Sequence, residues 1–343
     1  MKRTLLPASG IQFVFQILLA CGVTALFIWQ FNFFLLIFAS VLSAILFHYV
    51  ASWIEKKIKI KYIWSLTITL LTIALLITGF FLLAGPSVSK QIEEISTSLP
   101  KSVDQLMKKM QSHPIGKKLI KQLPDDPGKA VSENKDLLVK AASYLSSFLG
   151  ILGNILIVLI AAIFLAAAPG TYVKGLVRFF PLPKRTEISG LIHKIYNTLA
   201  TWLAAKFASM MVVGLATGIG LAILGVPMAL ILALIAAAFT FIPYIGPYLA
   251  LVPAVLVGLL ESSQMALYIT ILYFSIQIVE SYFITPMIEK KMVELPPVLA
   301  LFWQVLLGTV AGALGLLLAS PILAALIVLI KETHVKKMEA ANE

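Results

Sequence analysis

The sequence predicts an all-α polytopic membrane protein: about six full transmembrane helices, two broken or re-entrant helical hairpins, and an extracytoplasmic helical insert. Three observations carry that reading. The 343 residues are 60% hydrophobic and 13% charged, whereas a soluble domain averages about 45–50% apolar and about 25% charged. The excess lies in runs of about 20 residues, the length that crosses a bilayer core as a helix, and the alternating pattern of barrel strands is absent. The Lys and Arg residues gather in the loops of one side, as membrane orientation demands.

Residues 1–85 read as N-terminal transmembrane helices. The first run is 11–30 and the second 33–50, separated by a tight turn around Phe31 and Asn32. A basic loop with Lys56, Lys57, Lys59 and Lys61 precedes the third run, 62–84, which Gly85-Pro86 ends. Cys21 is the single cysteine, so an intrachain disulfide or a cysteine-based metal cluster is excluded. Leu18-Leu19-Ala20-Cys21 resembles a lipoprotein processing box, but the residues that follow stay apolar, and the segment reads as an uncleaved first span.

Residues 86–147 form the insert. Val88, Ile92, Ile95, Leu99, Val103, Leu106 and Met110 recur at helical spacing among many lysines. Pro100 interrupts the pattern, and 124–128 is a turn. One apolar stripe on a charged helix describes a solvated cap that packs on the membrane domain or a neighbouring subunit; gathering of substrate is the alternative.

Residues 148–330 are read as the transmembrane transport core. Full runs cover 148–168, 199–225 and 264–285. The apolar region 228–260 is broken at Phe241-Ile242-Pro243-Tyr244-Ile245-Gly246-Pro247, and each arm is about 14 residues, short of the roughly 17–25 a span needs. The region 297–330 is interrupted by Gly308, Gly312, Gly315 and Pro321 and reads as a second broken hairpin or two spans. Residues 331–343 are a charged cytoplasmic tail. Counting cations by loop puts both termini in the cytoplasm, the insert outside, and the chain in a cell inner (cytoplasmic) membrane. The net charge of +11 thus belongs to membrane orientation, not to nucleic acid.

The candidate chemistry is sparse. Glu280 is the one acidic residue well inside a span, and intramembrane carboxylates tend to be functional. Gln277 lies one turn away on the same face. Lys206, a few residues into its run, is a charge partner for Glu280 or a snorkelling lysine. Pro243, Tyr244, Gly246 and Pro247 break the first hairpin, and irregular backbone at membrane depth lines a cavity or is buried in protein. Broken elements of this kind build solute sites near the bilayer midplane. Gly214-x-x-x-Gly218 and Gly308-x-x-x-Gly312 read mainly as close helix packing. Gly246-Pro-Tyr-Leu-Ala-Leu-Val-Pro253 and Gly315-Leu-Leu-Leu-Ala-Ser-Pro321 are alike with one residue deleted. The four histidines have no ligand spacing, no P-loop is present and no nucleophile–base pattern appears, so neither a metal, a cofactor nor an enzyme is expected.

The order Phe241 to Pro247, Gln277-x-x-Glu280, Thr285-Pro286, Pro297, Gly308-x-x-x-Gly312-x-x-Gly315 and Ser320-Pro321 resembles the autoinducer-2 exporter (PerM-like permease) family across essentially the whole chain. It departs from many members at Met287–Lys291, where a Gly is usual, and at Leu295-Pro296-Pro297, where a His precedes the proline. The resemblance implies a bacterial permease that assembles as a homo-oligomer, with autoinducer-2 export or sodium/proton exchange among the family's activities. The expected function is secondary transport of a small solute, with Pro243, Tyr244, Gly246, Pro247, Gln277, Glu280, Gly308, Gly312, Gly315 and Pro321 along its path. A cation/proton antiporter and a non-transporting scaffold that presents its insert to partners are the alternatives.

Overall fold

The computed structural model describes residues 29–79, 134–284 and 296–335, together with Gly22, Ala25 and Leu82. Most of the first run and of the insert, with Thr285 and Pro286, lie outside the described residues.

Every regular element described is helical. In chain order, α1 is Phe31–Ile58 and α2 Tyr62–Gly79. Next come α3 Asn134–Ala167 and α4 Pro169–Arg178. A short 3-10 turn, Leu182–Lys184, leads into α5 Arg185–Ile223. Then follow α6 Ala229–Thr240, α7 Gly246–Glu261 and α8 Ser263–Val279, which continues as a π turn Glu280–Ile284. The last, α9, is Pro297–Ile330, also followed by a π turn, Lys331–Val335. Five of these stretches are long and apolar enough to cross a membrane, or six if the bent pair of α3 and α4 is counted. The chain is a polytopic, multi-pass membrane protein.

Hydropathy locates the lipid-buried parts of the helices and misses their extensions. The run expected at 148–168 is the second half of α3, which has 34 residues, and the run expected at 199–225 begins 14 residues late within the 39 of α5. At 1.5 Å per residue these helices are about 51 and about 58 Å long, well beyond a core of about 30 Å. Both must project from the bilayer.

Hydroxyl side chains inside the helices mostly satisfy themselves. Ser40, Thr67, Thr69, Thr240, Thr270 and Ser275 each donate to the carbonyl four residues earlier, at 2.7 to 3.0 Å. This back-bonding removes an exposed donor from lipid.

The chain divides into two compact units: residues 1–45, 158–199 and 295–343, and residues 46–157 and 200–294. The second holds the apolar cluster that carries the first hairpin. Val213 and Leu221 of α5, Leu232 and Ala236 of α6, Ala250, Ala254 and Val257 of α7, and Ile269 and Tyr273 of α8 pack together. Lipid is as apolar as these side chains, so their association rests on close fit rather than on exclusion of water. Small residues supply the fit. A methyl added at Gly214 would come within 2.9 Å of the Ala237 Cβ, and one at Gly218 within 3.2 Å of the Ala233 Cβ. The Gly214-x-x-x-Gly218 motif is therefore the seam between α5 and α6.

In the first unit, α9 is not one rod. Gly312 has φ 60° and ψ −140°, outside the helical region, and splits the element in two. In a straight helix Gln304 and Ser320 would stand about 24 Å apart. Here the Gln304 Nε2 donates to the Ser320 Oγ at 3.1 Å. The two arms fold back on each other about Gly312, which lies midway between that pair. Region 297–330 is thus a hairpin, with arms of about 22 and about 27 Å. Lys194 of α5 and Glu332 close the same unit with an ion pair at 2.6 Å.

Candidate functional site

The first hairpin turns at Phe241 to Ile245, and local chemistry dictates where. Pro243 cannot continue a helix as donor, and Pro247 is suited to the first turn of α7, where backbone donors have no helical acceptor. Tyr244 adopts φ 63°, a left-handed conformation that a bulky residue rarely takes. The Ile245 N–H donates to the Pro243 carbonyl at 2.7 Å and the Gly246 N–H to the Ile242 carbonyl at 3.1 Å. Gly246 is required by approach: any Cβ there would collide with the carbonyl oxygen of Phe239. Trp202 of α5 is buried and meets the Phe241 ring edge to face, with centroids 5.4 Å apart, so the tip is docked on α5.

Beside the tip lies a small, half-open cavity of about 30 Å³. Val213 and Thr217 of α5, Ala236 and Thr240 of α6, Pro247, Tyr248 and Leu251 of α7, and Tyr273, Phe274 and Gln277 of α8 line it. The walls are apolar with a few polar groups, the usual make-up of a small-molecule site. The most telling is Tyr273. Its hydroxyl is buried and has no hydrogen-bond partner among the described residues. A buried phenol that lacks a protein partner is costly, about 1–3 kcal/mol. No residue of the lining bears a formal charge.

Gln277 links this cavity to Glu280. Its Nε2 donates to the Glu280 Oε2 at 3.2 Å and to the Ser281 Oγ at 3.0 Å. The Ser281 hydroxyl also donates to the same carboxylate oxygen at 3.3 Å. Glu280 is 7% exposed and opens the π turn; such wide turns recur at functional sites. Lys206, in α5, is buried, with 9% of its surface exposed.

Of the residues the sequence singles out, Pro247 and Gln277 line the cavity. Pro243, Tyr244 and Gly246 shape its neighbouring tip, and Glu280 is joined to it through Gln277. Gly308, Gly312, Gly315 and Pro321 belong to the α9 hairpin of the other unit. Gly315 there does what Gly246 does in the first hairpin, because a Cβ at Gly315 would strike the Leu307 carbonyl oxygen. Gly308 packs against Leu316, and Gly312, expected to serve packing, is the fold point. Sequence reasoning passes over Tyr273, Thr217 and Thr240. Tyr273 falls four residues before Gln277, and that helical step is the available signal.

Comparison with known proteins points to a family of transporters. Residues 15–334 match the model of the AI-2E family transporter group. The chain is 29% identical over 335 residues to YueF of Bacillus subtilis (strain 168), a protein named for transport, with 92% of this chain and 86% of that one covered. It is 31% identical over 146 residues to MT0215 of Mycobacterium tuberculosis (strain CDC 1551 / Oshkosh), likewise named for transport, covering 42% and 40%. A transport-named protein of Borreliella burgdorferi is 26% identical over 179 residues, covering 51% and 49%.

Proposed function

Since the chain belongs to the AI-2E family of transporters, we propose that it is a secondary transporter for a small, uncharged, hydrogen-bonding solute held in the cavity beside the 241–247 tip. The observation that carries this is the lining. It offers hydroxyls from Thr217 and Tyr273 and an amide from Gln277, with no formal charge. The buried Tyr273 phenol lacks a partner among the described residues, and a solute hydroxyl or carbonyl would supply one once the side chain turns toward the cavity. A compact signalling molecule such as autoinducer-2 fits that class. The test is flux by purified protein in liposomes, with neutral polyhydroxy solutes set against carboxylates and amines of the same size. Uptake of the charged set alone would refute the reading.

Cation/proton exchange on the same frame is the second reading, and Glu280 supports it. A buried carboxylate hydrogen-bonded to a cavity-lining amide could bind and release a cation. Acidification inside vesicles on an outward Na⁺ or K⁺ gradient would favour this reading over the first. We further propose an inner-membrane location with both termini cytoplasmic, and assembly as a homo-oligomer. A single cysteine at Lys117 in a Cys21→Ser background should react with an impermeant thiol reagent in intact cells; labelling only in inverted vesicles would reverse the orientation.

A further inference from the structure

A bend near Ala168 has consequences for the lipid around the protein. Leu152–Ala167 and Pro169–Arg178 meet at 87°. The former lies within the apolar run 148–168, which is long enough for one crossing. A helix at right angles to a span, starting where the span ends, runs along the membrane surface. Ten residues of α4 extend about 15 Å in that plane.

Its side chains are sorted to match. Tyr172, Leu176 and Phe179 recur at helical spacing on one face and are 46%, 52% and 87% exposed. Leu182, just beyond, is 75% exposed. Lys174 and Arg178 share the opposite face, and no residue of α4 is buried. Lys184 and Arg185 follow. The Arg185 guanidinium donates to the Phe180 carbonyl at 3.0 Å and to the Arg178 carbonyl at 3.2 Å. These bonds tie the chain after α4 into an elbow and satisfy carbonyls at the helix end.

We propose that α4 and this elbow form an in-plane element that binds anionic phospholipid. The exposed apolar side chains enter the acyl region, and Lys174, Arg178 and Lys184 meet head-group phosphates. Water alone is a poor neighbour for four large apolar side chains on so short a segment. A second copy of the chain is disfavoured as occupant, because a two-fold contact would set this cationic segment against itself. A leaflet supplies both the apolar layer and the negative charge.

The test uses the full-length Cys21→Ser protein in phosphatidylcholine vesicles, with or without about one third phosphatidylglycerol. Nitroxides at Leu176 and Phe179 should collide more with dissolved oxygen than with a water-soluble nickel chelate, and one at Thr171 should do the reverse. A bimane at Leu176 should be quenched roughly twofold or more better by brominated phosphatidylglycerol than by brominated phosphatidylcholine. That ratio should fall to about one in the Lys174→Gln/Arg178→Gln/Lys184→Gln protein and survive in Lys174→Arg/Lys184→Arg. Labels at Leu176 and Phe179 shielded from both colliders would mean that protein covers the face, and the proposal falls. Nickel-dominated collisions there, equal quenching by the two lipids, or a preference that outlasts the triple substitution would each overturn it too.

Discussion

Replacing Gly312 by alanine isolates one term in the energetics of the α9 hairpin. The backbone at Gly312 has φ 60° and ψ −140°, a region that L residues enter at about 1–3 kcal/mol. An added Cβ would meet nothing within 4 Å, so the penalty is local backbone strain with no collision against the rest of the protein. The alternative, a straight helix through position 312, gains from the same change, because alanine is favoured over glycine in a helix interior by about 1 kcal/mol. The balance between folded-back and opened arms should shift by roughly 2–4 kcal/mol, a factor of about 30 to 1,000. A disulfide reports the geometry. With Gln304→Cys and Ser320→Cys in the Cys21→Ser background, oxidation should close a cross-link readily when Gly312 is present and poorly once Gly312→Ala is added. Without the cysteine pair, Gly312→Ala should lower the midpoint of thermal unfolding in detergent. Cross-linking at the wild-type rate together with an unchanged midpoint would refute the argument. By contrast, Gly315→Ala fails for a different reason, steric collision with the Leu307 carbonyl, and no choice of φ relieves it.

Other perturbations have distinct signatures. Tyr273→Phe removes a buried hydroxyl without a partner among the described residues; it should leave the solute-free protein as stable or up to about 1–3 kcal/mol more stable while lowering transport, and a clear loss of melting temperature would mean that the hydroxyl is held by the fold. Glu280→Gln should keep assembly intact, as judged by gel filtration, and abolish flux or its pH dependence; normal flux with a normal pH profile would take the carboxylate out of the mechanism. Lys194→Ala, which breaks the ion pair to Glu332, should destabilise by less than about 1 kcal/mol, since Lys194 is 50% exposed, and raised salt should erase the difference. A larger, salt-insensitive loss would show that the pair holds the tail in place by more than charge.

The two hairpins differ in how plainly the sequence announces them. Pro243, Gly246 and Pro247 stand within five residues of an otherwise apolar stretch, and each restricts the backbone in a known way. In 297–330 the glycines are spread at helical spacing, where Gly308-x-x-x-Gly312 also suits flush packing. Only the backbone angles distinguish a fold point from a packing surface, and glycine serves both. The short likeness between 246–253 and 315–321 is informative, since its leading glycines both stand against the carbonyl of the opposing arm. The helix α4 reads from the sequence only as a polar stretch, because its few apolar side chains alternate with lysine, arginine and glycine and never form a continuous apolar run. The cavity is half legible. Gln277 stands out as an amide near a carboxylate, whereas Thr240 does not, for a back-bonded threonine in an apolar helix looks like any other.

The self-satisfied hydroxyls of Ser40, Thr67, Thr69, Thr240, Thr270 and Ser275 bear on how this chain can drift over evolutionary time. A threonine whose donor is already spent on its own helix presents little more than its methyl to a neighbour, and valine offers nearly the same outline. Exchange between the two at Thr67 or Thr270 should be close to silent, so the tally of polar residues in a span can rise and fall among descendants without opening or closing a route through the membrane. The hydroxyl of Tyr273 lacks that freedom. A phenol on a helix cannot reach back to its own backbone, so losing it changes what the cavity can hold, and selection on the transported solute would act at that position rather than on the threonines around it.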